Sequence, residues 1–146
     1  MAKIANFRQL VVWQKGMDLA EQIHRATRSF RREDLFTLGT QLRRAANSIP
    51  ANISEGFHRR SRGAYRAHVA IALGSNDEVQ TFLELCRRLA LIEQSAIGEL
   101  VSLSEEIGRL LYGLWRSLFV AAVCYSLTLL AVVSGLPWLA ARILIL

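Results

Sequence analysis

Apolar residues return along this chain at intervals of three, four and seven, the spacing of one helix face and not the alternation of a strand. Val12, Gly16, Leu19, Ile23, Ala26 and Phe30 fall on one such face, widened by Trp13, Met17 and Ala20, with Lys15, Asp18, Gln22 and Arg25 opposite. The pattern predicts a first helix over about residues 10–30. Residues 31–38 carry charge without an apolar period and read as a loop. A second helix, over 39–57, has Leu42, Ala45, Ala46, Ile49, Ile53 and Gly56 as its stripe. Pro50 lies inside it and cannot donate to the carbonyl four residues back, so a kink is expected there. The basic run 58–63 makes the next turn. A third helix over 64–91 is tracked by Tyr65, Val69, Ala72, Asn76, Val79, Leu83, Cys86 and Ala90. A fourth, from about 96, repeats Leu100, Leu103, Ile107, Leu110, Leu111, Leu114 and Leu118. Four amphipathic segments with short links predict an all-α chain folded as an antiparallel up-down-up-down four-helix bundle.

The fourth segment then changes character. Residues 117–141 are 25 positions without a charge, bracketed by Arg116 and Arg142. About 20 apolar residues, rising 1.5 Å each, suffice to cross a hydrocarbon core. Residues 118–136 are apolar on every side, and a bundle this small has no interior left to hold such a helix. The sequence therefore divides into a bundle domain, 1–117, and an apolar C-terminal helical extension, 118–146. Three readings of the extension compete. It is a membrane anchor over 118–136, with Pro137 ending or kinking it and Trp138 near an interface, or an association helix covered by other subunits, or a non-native tail.

Composition adds a charge asymmetry. Residues 25–66 hold ten arginines against three acids, whereas residues 67–117 hold four against seven. One end or face should be strongly basic and attract phosphate polyanions or acidic partners. Arg28, Arg31 and Arg32 gather at one predicted turn and Arg59, Arg60, Arg62 and Arg66 at the next, with Arg43 on the helix between. In an antiparallel bundle those turns lie at opposite ends, so the clusters should not merge within one protomer. The two cysteines, Cys86 and Cys124, lie far apart in apolar runs, which argues against a disulfide framework. Residues 1–10 carry Lys3 and Arg8 and lack the apolar run of a signal peptide, so a cytoplasmic bundle is expected, attached to the inner membrane if the tail is an anchor.

Catalytic signatures are not evident. There is no Gly-rich phosphate loop, no GxSxG elbow and no Cys–His pairing in a local context that suggests a nucleophile. His24, His58 and His68 are the only histidines, and His24 beside the first apolar stripe reads as a core histidine. The expectation is a protein with no catalytic residues, no metal and no cofactor.

The second helix has the most distinctive composition. Gln41, Arg44, Ser48, Asn52 and Glu55 form a polar stripe beside the apolar one, and Ser75 and Glu78 on the third helix are partners of suitable type. A polar line at a core edge must be hydrogen-bonded within the fold or used by a partner. The first reading is a register-setting network, with Arg44 paired to Glu55 or Glu78.

The string QLRRAANSIPANISEGFHRRS over 41–61, preceded by Leu10-Val11-Val12-Trp13-Gln14-Lys15 and followed by Tyr65 and Gly74-Ser75, resembles the four-helix bundle proteins encoded within 23S rRNA intervening sequences. The accessory variability determinant of diversity-generating retroelements resembles the same group. The likeness covers about residues 7–117. It implies a closed antiparallel bundle, a homo-oligomer that is commonly a pentamer, and a basic surface. For the retroelement accessory it also implies binding to reverse transcriptase and to RNA or DNA. The chain departs from the family pattern at Leu73, where an arginine is usual, at Ala64, where an acid is common, and at Asn76-Asp77.

Two functions follow as expectations. The leading one is a non-catalytic oligomeric adaptor, nucleic-acid-associated or a reverse-transcriptase accessory, that meets phosphate backbone through Arg28, Arg31, Arg32, Arg43, Arg59, Arg60, Arg62 and Arg66. The alternative is a membrane-attached scaffolding protein with no nucleic-acid role, its arginines serving as a positive-inside signal and a contact to anionic lipid through the region of 118–136.

Overall fold

The computed structural model describes residues 5–133, with side chains through Phe119. Four helices pack as a bundle: α1 (Val11–Ala26), α2 (Thr40–Phe57), α3 (Arg62–Arg88) and α4 (Gln94–Val133). Each packs on the next, and α4 closes against α1. Ser48 lies opposite Ser75 and Asn52 opposite His68, so α2 and α3 run in opposite directions. The centre is filled by Leu19, Ile23, Leu42, Ile49, Ile53, Val69, Val79, Leu83, Ile107 and Leu111, all fully buried. These are the stripes the periodicity predicts, because only that face of each helix can leave water.

Helix α1 ends four residues before the apolar pattern does. Thr27 turns its hydroxyl back to the Ile23 carbonyl at 2.8 Å, a single 3₁₀ turn covers Thr27–Ser29, and Phe30 leaves the helix in extended conformation yet remains buried. The loop expected over 31–38 is instead helical. One α turn, Arg32–Asp34, runs into a π-helical turn, Leu35–Gly39, which continues into α2. Leu35 and Leu38 are partly buried against the core, so this segment has an apolar side too short for a period to show. Gly39 makes room for it: a Cβ there would lie 3.1 Å from Leu35 and 3.3 Å from Phe30.

Pro50 sits within α2, buried, where α1 passes closely over it. A Cβ on Gly16 would meet Ile49 at 3.3 Å and Pro50 at 3.5 Å. The third helix ends in a Schellman arrangement: Leu91 N–H donates to the Cys86 carbonyl at 2.9 Å and Ala90 N–H to that of Arg87 at 3.1 Å. This puts Ala90 at φ 51°, in the left-handed region that favours glycine. Ala90→Gly is expected to raise unfolding free energy by up to ~1 kcal/mol, read from urea denaturation. A destabilised variant would contradict the strain at this position.

Helix α4 runs on to Val133 without a break at position 117. The anchor expected over 118–136 lies, apart from Leu118 and Phe119, outside the residues whose side chains are described. Among the described residues, no helix is long and apolar enough to cross a membrane.

Candidate nucleic-acid interface

Two arginine groups occupy opposite ends of the bundle, separated by α2, whose 18 residues span about 27 Å. At the first end the cations are largely engaged. Arg31 pairs with Glu33 at 3.2 Å and Asp34 at 3.0 Å, and Arg43 Nε donates to Thr27 Oγ1 at 2.7 Å. Arg32 lies over the Phe36 ring at 5.7 Å, while Arg28 is exposed and has no ion pair among the described residues.

The second end is different. His58 caps α2, donating from Nδ1 to the Ser54 carbonyl at 2.9 Å, and Ser61 starts α3 by accepting from Ala64 N–H at 3.1 Å. The short turn between these caps holds Arg59 and Arg60 in solvent, Arg62 is exposed at the first position of α3, and none of the three has an acidic partner among the described residues. The N-terminal turn Phe7–Gln9, closed by an Asn6 capping box, folds onto the same end. Phe7 packs edge-on against Trp13 at 5.2 Å and against His58 at 5.6 Å, and Arg8 covers the Phe7 ring at 4.7 Å. Arg8 therefore joins the group, a residue that sequence reasoning left out because it lies some fifty positions away along the chain. Arg66 points elsewhere. Its guanidinium stacks on Trp115 at 3.9 Å and Phe119 at 4.6 Å, and its Nε is buried without a hydrogen-bond partner among the described residues. The neighbouring Tyr65 hydroxyl is likewise buried and unpartnered, and burial pushes its phenol above the usual range.

The polar stripe of α2 is brought together in part. The Ser48 and Ser75 hydroxyls lie 2.8 Å apart, and Asn52 Nδ2 donates to Ser48 Oγ at 3.0 Å. His68, which the sequence does not single out, completes the line. Arg59 Nε donates to His68 Nε2 at 3.0 Å. Because a guanidinium can only donate, that nitrogen carries no proton, and Nδ1–H faces Asn52 Oδ1 at 3.3 Å. Glu55 lies 3.7 Å from the same nitrogen. Gln41, Arg44 and Glu78 stand outside the network: the expected pairing of Arg44 with Glu55 or Glu78 does not form, Glu55 lying about 16 Å farther along α2 and both Arg44 and Glu78 standing in solvent. The network thus tethers a surface arginine, Arg59, to the α2–α3 seam. A second polar pair lies deeper, where Asn76 Nδ2 donates to the Ser104 carbonyl and Ser104 Oγ donates to Asn76 Oδ1, both at 3.1 Å.

Two Glu-x-x-His spacings occur, Glu21/His24 and Glu55/His58, but neither is aimed inward as a metal site would need. Glu21 pairs with Arg25, and His24 Nε2 donates to Asn47 Oδ1 at 3.2 Å. Among the described residues no group of three or more His, Cys, Asp or Glu is placed to hold a metal ion. Cys86 is buried, and burial, with a smaller contribution from the Asp34 carboxylate, pushes its thiol up to about 11. At the far end of α3, hydrogen bonds from Arg87 and then Arg88 hold the Glu84 carboxyl down to about 2. That small surface stabilisation is present above the normal glutamate range and is lost as pH falls toward 2.

Comparison with known proteins places this geometry. The family model described as 23S rRNA-intervening sequence protein matches residues 8–113. Among solved structures the chain is similar to a protein of unknown function, of the S23 ribosomal protein family, from Bacteroides thetaiotaomicron. The two share 29% identity with a TM-score of 0.68, over 73% of this chain and 96% of that one. No curated protein matches.

Proposed function

Because the chain belongs to the 23S rRNA-intervening sequence protein family, we propose that it works as a non-catalytic, homo-oligomeric bundle of antiparallel up-down-up-down topology that binds nucleic-acid phosphate backbone. The observation that carries the reading is a cluster of arginines: Arg8, Arg59, Arg60 and Arg62 are exposed together at one end without an acidic partner among the described residues, whereas Arg31 at the other end pairs with Glu33 and Asp34. Unpaired, solvated guanidiniums suit bidentate phosphate contacts and carry no sequence information.

Each phosphate contact releases a counterion, so affinity should fall steeply with salt. Titrating labelled duplex DNA and RNA with the full chain, with anisotropy as readout, should show binding at low salt. Its log–log salt slope should flatten by about 2–3 in Arg59→Ala/Arg60→Ala/Arg62→Ala, at about 0.9 per lost duplex contact. No binding at low salt, or a slope unchanged by the triple substitution, would refute the reading.

A further inference from the structure

Beside the basic end, α1 and the outer face of α2 enclose an open groove of about 340 Å³. Phe7, Trp13 and Met17 line it from one side, Asn47 and Ala51 from α2, and Arg8 is also among its lining residues. Two of its lining residues are held by neighbours: Asn47 accepts from His24 at 3.2 Å, and Phe7 packs on His58 with 5.6 Å between rings. Met17 is 45% exposed, an unbranched side chain left facing water where a polar residue would be the neutral choice. Asn47 Oδ1 is used by His24, but its amide nitrogen has no partner among the described residues and remains free to donate.

Three properties converge on one kind of occupant. The walls are aromatic and thioether, suited to the face of a flat ring. The volume is that of a small-molecule pocket at its lower limit. The surroundings are cationic, with Arg8 in the lining and Arg44 exposed one turn from Asn47 on α2. A lipid chain or an apolar peptide would match the walls but leave the amide and the arginines without use. We propose that the groove receives one unstacked base of a single-stranded nucleic acid, its ring against Trp13 and Phe7 and its polar edge at Asn47, with Arg8 and Arg44 on the flanking phosphates. The inference rests on the phosphate-binding reading above and adds to it a preference for single strands, since a base in a duplex cannot leave its stack without cost.

The test uses the full chain with a labelled 12-nucleotide single-stranded RNA and a blunt RNA duplex of matched charge. Two substitutions reach the groove from exposed positions without entering the core: Ala51→Trp fills it, and Met17→Glu puts an acid in its wall. Either should weaken single-strand binding about tenfold, the scale of one lost base stack, and lower duplex binding by much less. If both variants leave single-strand affinity intact, or lower single-strand and duplex affinity equally, the base site is overturned. In that case loss of binding in Arg59→Ala/Arg60→Ala/Arg62→Ala would still uphold phosphate attachment. Failure of the unmodified chain to bind either RNA would overturn both.

Discussion

Asn76→Asp is expected to cost about 3–5 kcal/mol of stability at pH 7 and far less at pH 4. Asn76 is 1% exposed and Ser104 fully buried, and the amide is matched to its site atom by atom: Nδ2 donates to a backbone carbonyl while Oδ1 accepts from a hydroxyl. Aspartate keeps the acceptor but sets a second oxygen against the Ser104 carbonyl, and when ionised it is a charge with no cation beside it. A Cβ on Gly108 would lie only 3.2 Å from Nδ2, which shows how little room there is to relax or admit water. The protonated acid restores the missing donor. The folded-state pKa of the new carboxyl must therefore rise above its unfolded value of about 3.9. A group raised in this way carries no ionisation penalty below the unfolded pKa, where both states are protonated. The penalty then grows by about 1.4 kcal/mol per pH unit until the folded pKa is reached. Urea denaturation at the two pH values measures it, and an equal loss at both would mean that the carboxylate has found water or a cation. Against a typical domain stability of about 5–15 kcal/mol, the loss at neutral pH is a large fraction of the whole.

Gly56→Val should be nearly as damaging, at about 3 kcal/mol, for a steric reason. A Cβ on Gly56 would come within 2.6 Å of Tyr65 Cδ2 and 2.8 Å of His68 Cβ. The second of these atoms is fixed to the α3 backbone, so the helices themselves would have to separate. Intrinsic propensity works in the opposite direction, because replacing a helical glycine normally gains up to about 1 kcal/mol. Gly74 supplies the comparison: it lies in α3 with nothing within 4 Å of its Cβ position, and Gly74→Ala should stabilise by roughly that amount. Thermal unfolding of the two variants side by side separates helix contact from helix propensity, and a Gly56→Val protein as stable as the parent would show that α2 and α3 are not held this close. The same substitution should weaken nucleic-acid binding, because displacing His68 releases Arg59.

The four helical stripes were legible in the sequence because burial of one face imposes its period wherever a helix is several turns long. Where an element is short, that statistic has no length to act on, and residues 31–38 read as a loop although Leu35 and Leu38 pack on the core. The end of α3 was obscured for another reason: its left-handed cap is Ala90, not the glycine by which such caps are recognised. The polar stripe was visible as a line of residues, but its wiring was not. Arg44 and Glu55 carry opposite charges on one stripe of α2, yet eleven residues set them about 16 Å apart along the helix, and Glu55 instead approaches His68. Arg66 belongs to a basic run by sequence and to an aromatic stack by position.

By itself, then, the amino-acid order determined which faces are apolar, how many long helices there are, and that positive charge is concentrated over residues 25–66. These are one-dimensional properties, set by residue type and local spacing. Only the tertiary structure decided which arginines are neutralised, which remain free beside Arg8, and that Trp13, Phe7 and Asn47 border one groove. Charge pairing and pocket formation depend on the rotation of each helix about its axis and on contacts between residues tens of positions apart. Packing of the core selects both, and no local pattern encodes either.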